Sequence, residues 1–354
     1  MGHGSYSSST RSFRSSNKMV AKVKANDLEL VKNCLGSDFT FTEADGNLMV
    51  AMASSGDVAK MESMFANAGL IASVDRVDAR SVGYSSRSAN EIFSNRQINN
   101  AMNPFGIGVR ESRDSAEHPN SIAILLGLDV TGSMGSVPHF LVKEGLPMLM
   151  DHIIKGGVLD PQVLFVGIGD HECDNAPLQV GQFESSDELL DKWLTDLYLE
   201  GGGGGNAGES YLLAWYFAAF HTAIDCFEKR KRKGYCITIG DEPVLQRVPA
   251  GFLKKLMGDG QYENYSALDL LAKASEKYNV YHINIRETQS GSRKSVMDGW
   301  QQLLSDNFKI AERRTDVAQI VADIVLAGES GQVTGFIGRT PAPSAPHPPE
   351  EMIL

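Results

Sequence analysis

The sequence predicts an α/β fold: a doubly wound, mostly parallel sheet with helices on both faces, preceded by a small N-terminal α+β region. From Ile122 onward, short apolar runs alternate with longer amphipathic stretches, which is the pattern of strands and helices in such a sheet. The first of these runs, residues 122–128 (IAILLGL), is apolar throughout, as expected of a strand that is buried on both faces.

Six strands and five helices are predicted in this part of the chain. The strands span 122–128, 163–168, 178–183, 235–239, 280–285 and 308–311. The helices span roughly 138–155, 187–199, 209–229, 266–277 and 315–327. Right-handed crossovers between parallel strands would place these helices on both faces of the sheet. Because Pro147 lies inside the first helix, we expect a kink or break near Gly145.

Composition divides the remainder of the chain. Residues 1–25 are rich in Ser, Arg and Lys and contain no acid, which favours a disordered basic arm over an organellar transit peptide. The polar, turn-rich segment that ends at Ser121 separates a small domain of unknown fold at 26–115 from the larger domain at 120–328. The tail at 340–354 is proline-rich and is expected to be extended or disordered.

The small domain offers weaker patterns. Apolar spacing predicts a short helix over 28–35 and a second helix over 57–68. The stretch 70–82 alternates well enough to predict a strand.

Charge and cysteine content argue for a cytoplasmic protein with no nucleic-acid or membrane partner. The net charge of −11 disfavours broad phosphate binding, which needs a basic surface. The four cysteines are scattered and contain no CxxC pair, so we expect reduced thiols. No apolar run approaches the roughly 20 residues that a membrane span needs, and the N-terminus has no apolar segment typical of secretion.

Oxygen-bearing side chains follow the first strand of the larger domain. Asp129, Thr131 and Ser133 stand two residues apart, and open α/β sheets bind ligands at the carboxyl ends of their strands. One carboxylate and two hydroxyls suit a hard octahedral cation, Mg²⁺ or Mn²⁺. The alternative is that these residues only begin the next helix, for which Ser136 and Pro138 are good start signals.

This segment resembles the metal-ion-dependent adhesion site (MIDAS) of the von Willebrand factor A (VWA) family, whose domains have a Rossmann-like fold. Asp129, Thr131 and Ser133 are similar to the family's D-x-S-x-S motif, with Thr in place of the first Ser. Asp241, at the end of an apolar strand, resembles the family's later strand-Asp-Gly signature, although Glu242 replaces the glycine. The resemblance covers about 120–328 and points to an intracellular, bacterial or phage-type member.

The family also supplies a threonine from a glycine-rich loop before a helix. In this chain five glycines, 201–205, are followed by Asn206, so the resemblance implies Asn206 as that ligand. Asp170, Glu209 and Glu242 are expected at the rim of the same site. The cluster His171–Asp174 after the second strand is either a second metal site or, as we favour, a polar loop.

The resemblance implies a non-catalytic binding module. A cation held by few carboxylates keeps positive charge, and its open coordination position favours an acidic side chain of a partner protein. Intracellular bacterial members of the family often work beside AAA+ ATPases, which makes such an ATPase a candidate partner by resemblance alone.

An enzyme is the alternative. Asp129-x-Thr-Gly-Ser also looks like the phosphorylation motif of the haloacid dehalogenase superfamily, where the aspartate attacks phosphorus beside Mg²⁺. Against this Mg²⁺-dependent phosphotransferase or phosphatase, Val130 replaces the lysine of that motif. The run at 228–233 (EKRKRK) is either a nucleic-acid or nuclear-import segment or, as we favour, the charged end of a helix.

Overall fold

The computed structural model describes residues 19–44, 47–52, 57–77, 88–200 and 208–330. Two hydrophobic clusters organise these residues. The smaller cluster contains side chains between Ala21 and Val74, and the larger contains side chains between Ile92 and Val325. The proline-rich tail, the glycine-rich loop and Asn206 lie outside the described residues.

The smaller cluster lies in an N-terminal β-α-β-β-α-β unit with an antiparallel four-stranded sheet in the order β2-β3-β1-β4. Its elements are β1 (Met19–Ala25), α1 (Leu28–Leu35), β2 (Thr40–Ala44), β3 (Asn47–Met52), α2 (Asp57–Asn67) and β4 (Ala72–Val77). Both helices predicted from the sequence here are confirmed. The strand predicted over 70–82 is confirmed for its residues 72–77, and residues 78–82 lie outside the described chain. The N-terminal α+β region is therefore a split β-α-β arrangement.

The prediction of a disordered arm over residues 1–25 is wrong where strand β1 begins. Residues 19–25 form the strand that pairs with both β3 and β4, and Ala21 and Val23 are buried in the small cluster. Alternation of these apolar residues with lysines is a strand pattern, which the basic composition of the segment concealed. The arm prediction therefore fails for 19–25, and its residues 1–18 lie outside the described chain.

The larger unit begins before the predicted boundary at 115–120. Ile92, Phe93 and Met102 belong to the larger cluster. Strand β5 (Arg110–Ser112) then pairs in parallel with a strand far along the chain, β9 (Thr222–Ile224). These pairings and apolar contacts assign 88–121 to the larger unit, and the polar composition of the segment gave no sign of them.

The centre of the larger unit is a six-stranded sheet in the order β14-β13-β10-β6-β7-β8, parallel except for β8. Its strands are β6 (Ile122–Asp129), β7 (Pro161–Ile168), β8 (Leu178–Glu184), β10 (Gly234–Gly240), β13 (Tyr278–Ile285) and β14 (Phe308–Ala311). Each contains one of the six predicted strands. A two-stranded ribbon of β11 (Arg247–Val248) and β12 (Tyr265–Ser266) lies outside this sheet.

Helices cover both faces of the sheet, as the fold class predicts. They are α3 (Ala89–Ile92), α4 (Val137–Phe140), α5 (Leu146–Lys155), α6 (Asp187–Thr195), α7 (Tyr211–Phe220), α8 (Asp225–Glu228), α9 (Ala250–Met257), α10 (Ala267–Lys277), α11 (Lys294–Leu304) and α12 (Val317–Glu329). Leu126 and Leu128 of β6 face α5 and α12, whereas Gly127 between them faces α7. No helix within the described ranges is long and apolar enough to cross a membrane.

Two predicted helices differ in detail. The helix predicted over 138–155 contains a π-helical turn at Leu141–Gly145, where the expected interruption before Pro147 occurs. The helix predicted over 209–229 is interrupted: Tyr211–Phe220 form α7, Thr222–Ile224 form β9, and Asp225–Glu228 are helical again in α8. The β-branched residues of this segment suit a strand, and the pairing with β5 supplies their hydrogen bonds.

Basic residues of the run at 228–233 form ion pairs within the fold. The guanidinium of Arg230 lies 2.6 Å from the carboxylate of Asp114, and that of Arg232 pairs with Glu329. Helix α8 ends at Glu228, the first residue of the run, so the basic residues follow the end of a short helix and form ion pairs with distant parts of the chain.

A neutral histidine is buried beside the sheet. The imidazole of His282 stacks on Trp300 at 3.6 Å between ring centroids, and its Nδ1 lies 2.9 Å from the hydroxyl of Thr238. Burial lowers the pKa of His282 well below its usual value. The unfolded chain therefore binds a proton that the folded chain does not, once the pH falls below about 6.5.

We expect stability to fall on acidification through this group. His282→Phe keeps the stacking and removes the titration, so its free energy of unfolding should decline less than that of the wild type between pH 7.5 and 5.5. The difference should reach about 1 kcal/mol at the lower pH. Urea unfolding at both pH values measures it, and equal declines in the two proteins would exclude His282 as the cause.

Candidate metal centre

Three neighbouring parallel strands end at one edge of the sheet and bring acidic residues together. Asp129 is the last residue of β6, Asp241 follows β10 directly, and Asp170 follows β7 by two residues. Because the order is β10-β6-β7, the three carboxylates lie along the same carboxyl edge, where open α/β sheets bind ligands.

Four side-chain oxygens form a continuous array at this edge. The Thr131 hydroxyl lies 2.6 Å from Oδ1 of Asp129 and 3.3 Å from the Ser133 hydroxyl, which donates to Oδ1 of Asp241 at 2.8 Å. In an octahedral Mg²⁺ site with bonds of about 2.1 Å, adjacent ligand oxygens stand about 3 Å apart. The spacing of the array is that of ordinary O–H···O hydrogen bonds, and it is also compatible with ligands around one small cation.

Helix α4 begins directly after Ser136 with Pro138 in its first turn, as those start signals predict, so Asp129, Thr131 and Ser133 are not needed to begin it. Neither Thr131 nor Ser136 makes a side-chain capping hydrogen bond to the helical turn that follows it. The backbone N–H of Thr131 instead donates to Oδ1 of Asp129 at 3.0 Å, which holds the turn against the carboxylate. Ser133 is exposed, so the array is open to solvent on that side.

The two carboxylates of the array are both fully buried. Burial, followed by the nearby charge of Asp241, raises the pKa of Asp129 to about 7. Burial also raises the pKa of Asp241, and its Oδ2 has no hydrogen-bond partner among the described residues. Two buried like charges and an oxygen without a donor fit a divalent cation, which would supply the missing positive charge.

Tyr211 is a residue of the centre that the sequence analysis missed. Its hydroxyl donates to Oδ2 of Asp129 at 2.8 Å from the first turn of α7. A Cβ at Gly240 would lie 1.9 Å from that hydroxyl, so only glycine leaves room for it at the end of β10. The sequence could have indicated Tyr211 through its phenol group in a mainly apolar helix, because a buried phenol needs a hydrogen-bond partner.

Glu209, which the sequence predicts at the rim, is held by backbone hydrogen bonds to the segment after Asp241. Its N–H donates to the carbonyl of Pro243 at 2.8 Å, and its own carbonyl accepts from Leu245 at 2.9 Å. The side chain is buried, and its Oε2 has no hydrogen-bond partner among the residues described. Burial, and next the charge of Asp129, raise the pKa of Glu209 to about 10, so its carboxyl group is neutral at physiological pH.

Asp170 and Glu242 border the centre but have partners of their own. Oδ1 of Asp170 accepts from the N–H of Glu172 at 2.8 Å and so shapes its own turn. Glu242 forms a 2.7 Å ion pair with Arg293. Of the residues predicted from the sequence, the structure thus brings Asp129, Thr131, Ser133 and Asp241 into one array, with Glu209 beside it; Asn206 cannot be placed, because it lies outside the described residues.

Within the described ranges, no group of three or more His, Cys, Asp or Glu side chains is arranged to hold a metal ion. The cluster at 171–174 is accordingly a polar loop here. Nδ1 of His171 lies 2.7 Å from the Ser210 hydroxyl, and Asp174 accepts from the N–H of Asp170. The candidate centre relies instead on two carboxylates and two hydroxyls, a set that suits Mg²⁺ or Mn²⁺ rather than Zn²⁺.

Comparison with known proteins gives only distant structural neighbours. No protein-family model and no curated protein matches the sequence. Two crystal forms of the pilus adhesin SpaC from Lactobacillus rhamnosus GG are 12% identical, with TM-scores of 0.41 and 0.39. Each match covers 61% of this chain and 31% or 32% of the adhesin.

Proximal thread matrix protein 1 from the mussel byssus is 10% identical with a TM-score of 0.39, over 62% of this chain and 49% of that protein. This chain therefore matches less than half the length of each of these structures. Similarity at this level identifies neither a family nor a function.

Removal of the Tyr211 hydroxyl should destabilise the centre. Tyr211→Phe leaves Oδ2 of Asp129 buried without a donor, so we expect the free energy of unfolding to fall by about 1–3 kcal/mol. Tyr216→Phe, on the same helix but bonded to His221, is the control and should cost about 0.5–1.5 kcal/mol. Urea unfolding in chelator measures both, and equal losses would argue against a special role for Tyr211.

Divalent cations should stabilise the protein through Asp241. At an Mg²⁺ concentration of roughly one hundred times the dissociation constant, the gain is about 2.7 kcal/mol and appears as a higher melting temperature. Asp241→Asn should abolish the gain. Asp225→Asn is the matched control, because Asp225 is equally buried but pairs with Arg113 at the opposite end of β6. A gain that persists in Asp241→Asn would refute this site.

Proposed function

We propose that this protein is a metal-dependent protein-binding module of the VWA type. Asp129, Thr131, Ser133 and Asp241 hold Mg²⁺ or Mn²⁺, and the cation coordinates an acidic side chain of a partner protein in an intracellular complex. The observation that carries this proposal is the unbroken array of four oxygens at the carboxyl edge of the sheet, with spacings of 2.6–3.3 Å. Asn206 remains a candidate fifth ligand from the glycine-rich loop.

The charge balance around the array supports binding of an acid. Two of the four oxygens are neutral hydroxyls, so only two carboxylates oppose the charge of the cation, and Arg293 forms an ion pair with Glu242. A divalent cation in this environment keeps net positive charge at its open position. The exposure of Ser133 leaves that position accessible to a partner.

The same contacts disfavour the phosphotransferase alternative. A nucleophilic aspartate needs an oxygen directed at the substrate, whereas both oxygens of Asp129 accept hydrogen bonds, from Thr131 and from Tyr211. The carboxylate is also fully buried. Asp129 is therefore better suited to hold a cation than to attack phosphorus.

The cysteine chemistry supports the proposed compartment, and the VWA resemblance supports the proposed class of partner. All four cysteines are free thiols, and one of them, Cys173, is exposed, which supports a reducing, cytoplasmic environment. Arg230 and Arg232 of the basic run form ion pairs within the fold, which reduces the positive charge that could bind nucleic acid. An AAA+ ATPase is the partner class that the VWA resemblance suggests.

Metal-dependent capture tests the proposal. Wild-type protein, Ser133→Ala and the control Asp225→Asn are immobilised and exposed to cell extract in Mg²⁺ or in chelator. We expect a partner that is retained by the wild type and the control in Mg²⁺, and lost in chelator and in Ser133→Ala. A partner that is retained equally in chelator and by Ser133→Ala would contradict the proposal. Phosphate release from phosphoesters that Asp129→Asn abolishes would favour the alternative.

A further inference from the structure

A further acidic side chain stands beside the candidate centre. Glu242 directly follows Asp241, and its N–H lies 3.4 Å from the Tyr211 hydroxyl that donates to Asp129. Only 15% of its side chain is exposed, so water and salt screen its charge less than that of a fully exposed acid. Burial raises the pKa of Asp241, and the charge of Glu242 raises it further. An unpaired Glu242 would therefore repel an acidic ligand of the centre.

Arg293 compensates this charge from a distant part of the chain. Its Nη2 donates to Oε2 of Glu242 at 2.7 Å, across 51 positions in the sequence. Its Nε donates to the carbonyl of Ser290 at 3.3 Å, so a second hydrogen bond orients the guanidinium. The charge of Arg293 also acts on Asp241, where it lowers the pKa against the larger effect of burial. The ion pair therefore offsets the charge of Glu242 at the centre.

The loop that carries Arg293, residues 286–293, is fixed by its own hydrogen bonds. The hydroxyl of Thr288 donates to the carbonyl of Ile285 at 3.0 Å and accepts from the N–H of Gly291 at 3.0 Å. A Cβ at Gly291 would lie 2.0 Å from the carbonyl oxygen of Ile285, so only glycine permits this close approach. Arg293 is therefore presented to Glu242 by a loop of defined conformation.

The main chain of Glu242 is held by the helix that follows this loop. Helix α11 begins directly after Arg293, and the buried Trp300 on it donates to the carbonyl of Glu242 at 3.0 Å. The side chain and the main chain of Glu242 are thus both bound by the segment 293–300. Because ion pairs with an exposed member contribute little to stability, the main physical effect of this pair is on the electrostatic potential beside Asp241.

The charge balance at the centre makes this potential decisive for an acidic ligand. Asp129 and Asp241 can balance the two charges of a divalent cation, so attraction of an acid depends on the cation lying nearer to it than the two carboxylates do. A third acid close by, without compensation, would shift this balance toward repulsion. Compensation of Glu242 is therefore a condition for the binding of a carboxylate.

We propose that Arg293 makes the metal centre specific for acidic ligands, because its ion pair with Glu242 cancels the negative charge beside the cation. This role rests on the proposed function, since it requires a divalent cation on the array. Arg293 acts through Glu242 and not by contact with the ligand. Loss of Arg293 adds a net negative charge, so it should strengthen the binding of the cation and weaken the binding of the acid.

Paramagnetic relaxation of acetate tests this role in the full-length protein. With Mn²⁺ on the centre, the relaxation of the acetate methyl protons measures binding of a carboxylate to the cation, and acetamide is the neutral comparison. Electron paramagnetic resonance of free Mn²⁺ gives the affinity for the metal. Arg293→Gln should weaken acetate binding by about three- to tenfold, as expected for one unit charge roughly 6 Å away near a protein surface, and should bind Mn²⁺ more tightly.

Three further variants complete the experiment. Glu242→Gln should strengthen acetate binding and weaken Mn²⁺ binding. The double variant Glu242→Gln/Arg293→Gln should return both affinities to within about twofold of the wild type, because the pair as a whole carries no net charge. Arg286→Gln is the matched control and should change neither affinity: Arg286 lies in the same loop, is 49% exposed compared with 45% for Arg293, and pairs with Glu312.

The outcomes separate this role from the proposed function. If Mn²⁺ does not bind the wild type, or binds Asp241→Asn equally well, the proposed function fails and the role of Arg293 fails with it. If Mn²⁺ binds through Asp241 but the wild type binds acetate no better than acetamide, or no better than Arg293→Gln does, only the role of Arg293 is refuted. Loss of both affinities in Arg293→Gln, or a double variant as weak toward acetate as the single variant, would also overturn it.

Discussion

The candidate centre depends on the burial of two carboxylates, Asp129 and Asp241, at the ends of adjacent strands. Buried charges are costly unless hydrogen bonds or opposite charges compensate them, and two like charges increase the cost. Donors from Thr131, Ser133 and Tyr211 provide part of the compensation. One oxygen of Asp241 still has no donor among the described residues, and this is the requirement that a divalent cation would meet.

Packing behind the centre holds these groups in place. Tyr211 meets Trp300 edge-on at 5.4 Å between centroids, and Trp300 stacks on His282. The indole N–H of Trp300 also donates to the carbonyl of Glu242 at 3.0 Å, so the chain just after Asp241 is anchored to the same aromatic cluster. A site supported in this way is preorganised, which lowers the cost of binding a cation.

Helix α7 links the candidate centre to the opposite edge of the sheet. Its first residue, Tyr211, donates a hydrogen bond to Asp129, and its last residue, Phe220, is 43% exposed. Ten residues of helix span about 15 Å, so Phe220 lies well away from the candidate centre.

Much of this architecture was readable from the sequence. The six strands of the main sheet were predicted because short, mainly apolar runs of four to seven residues alternate with longer amphipathic stretches. Asp129, Thr131 and Ser133 were recognised because they stand at the end of such a strand, where open α/β sheets bind ligands, and Asp241 because it resembles the later aspartate of the VWA motif. By contrast, β1 was hidden by its lysines and β9 by the helical pattern around it, since long-range pairing decides both.

The sequence by itself determined the fold class and the oxygen chemistry of the strand ends, because burial pattern and ligand type are local properties of the chain. Only the tertiary structure decided which groups meet. Tyr211 reaches Asp129 across 82 positions, and Ser133 reaches Asp241 across 108. The pKa values of Asp129 and Glu209 depend on burial and on neighbours brought by other strands, and no local pattern encodes that proximity.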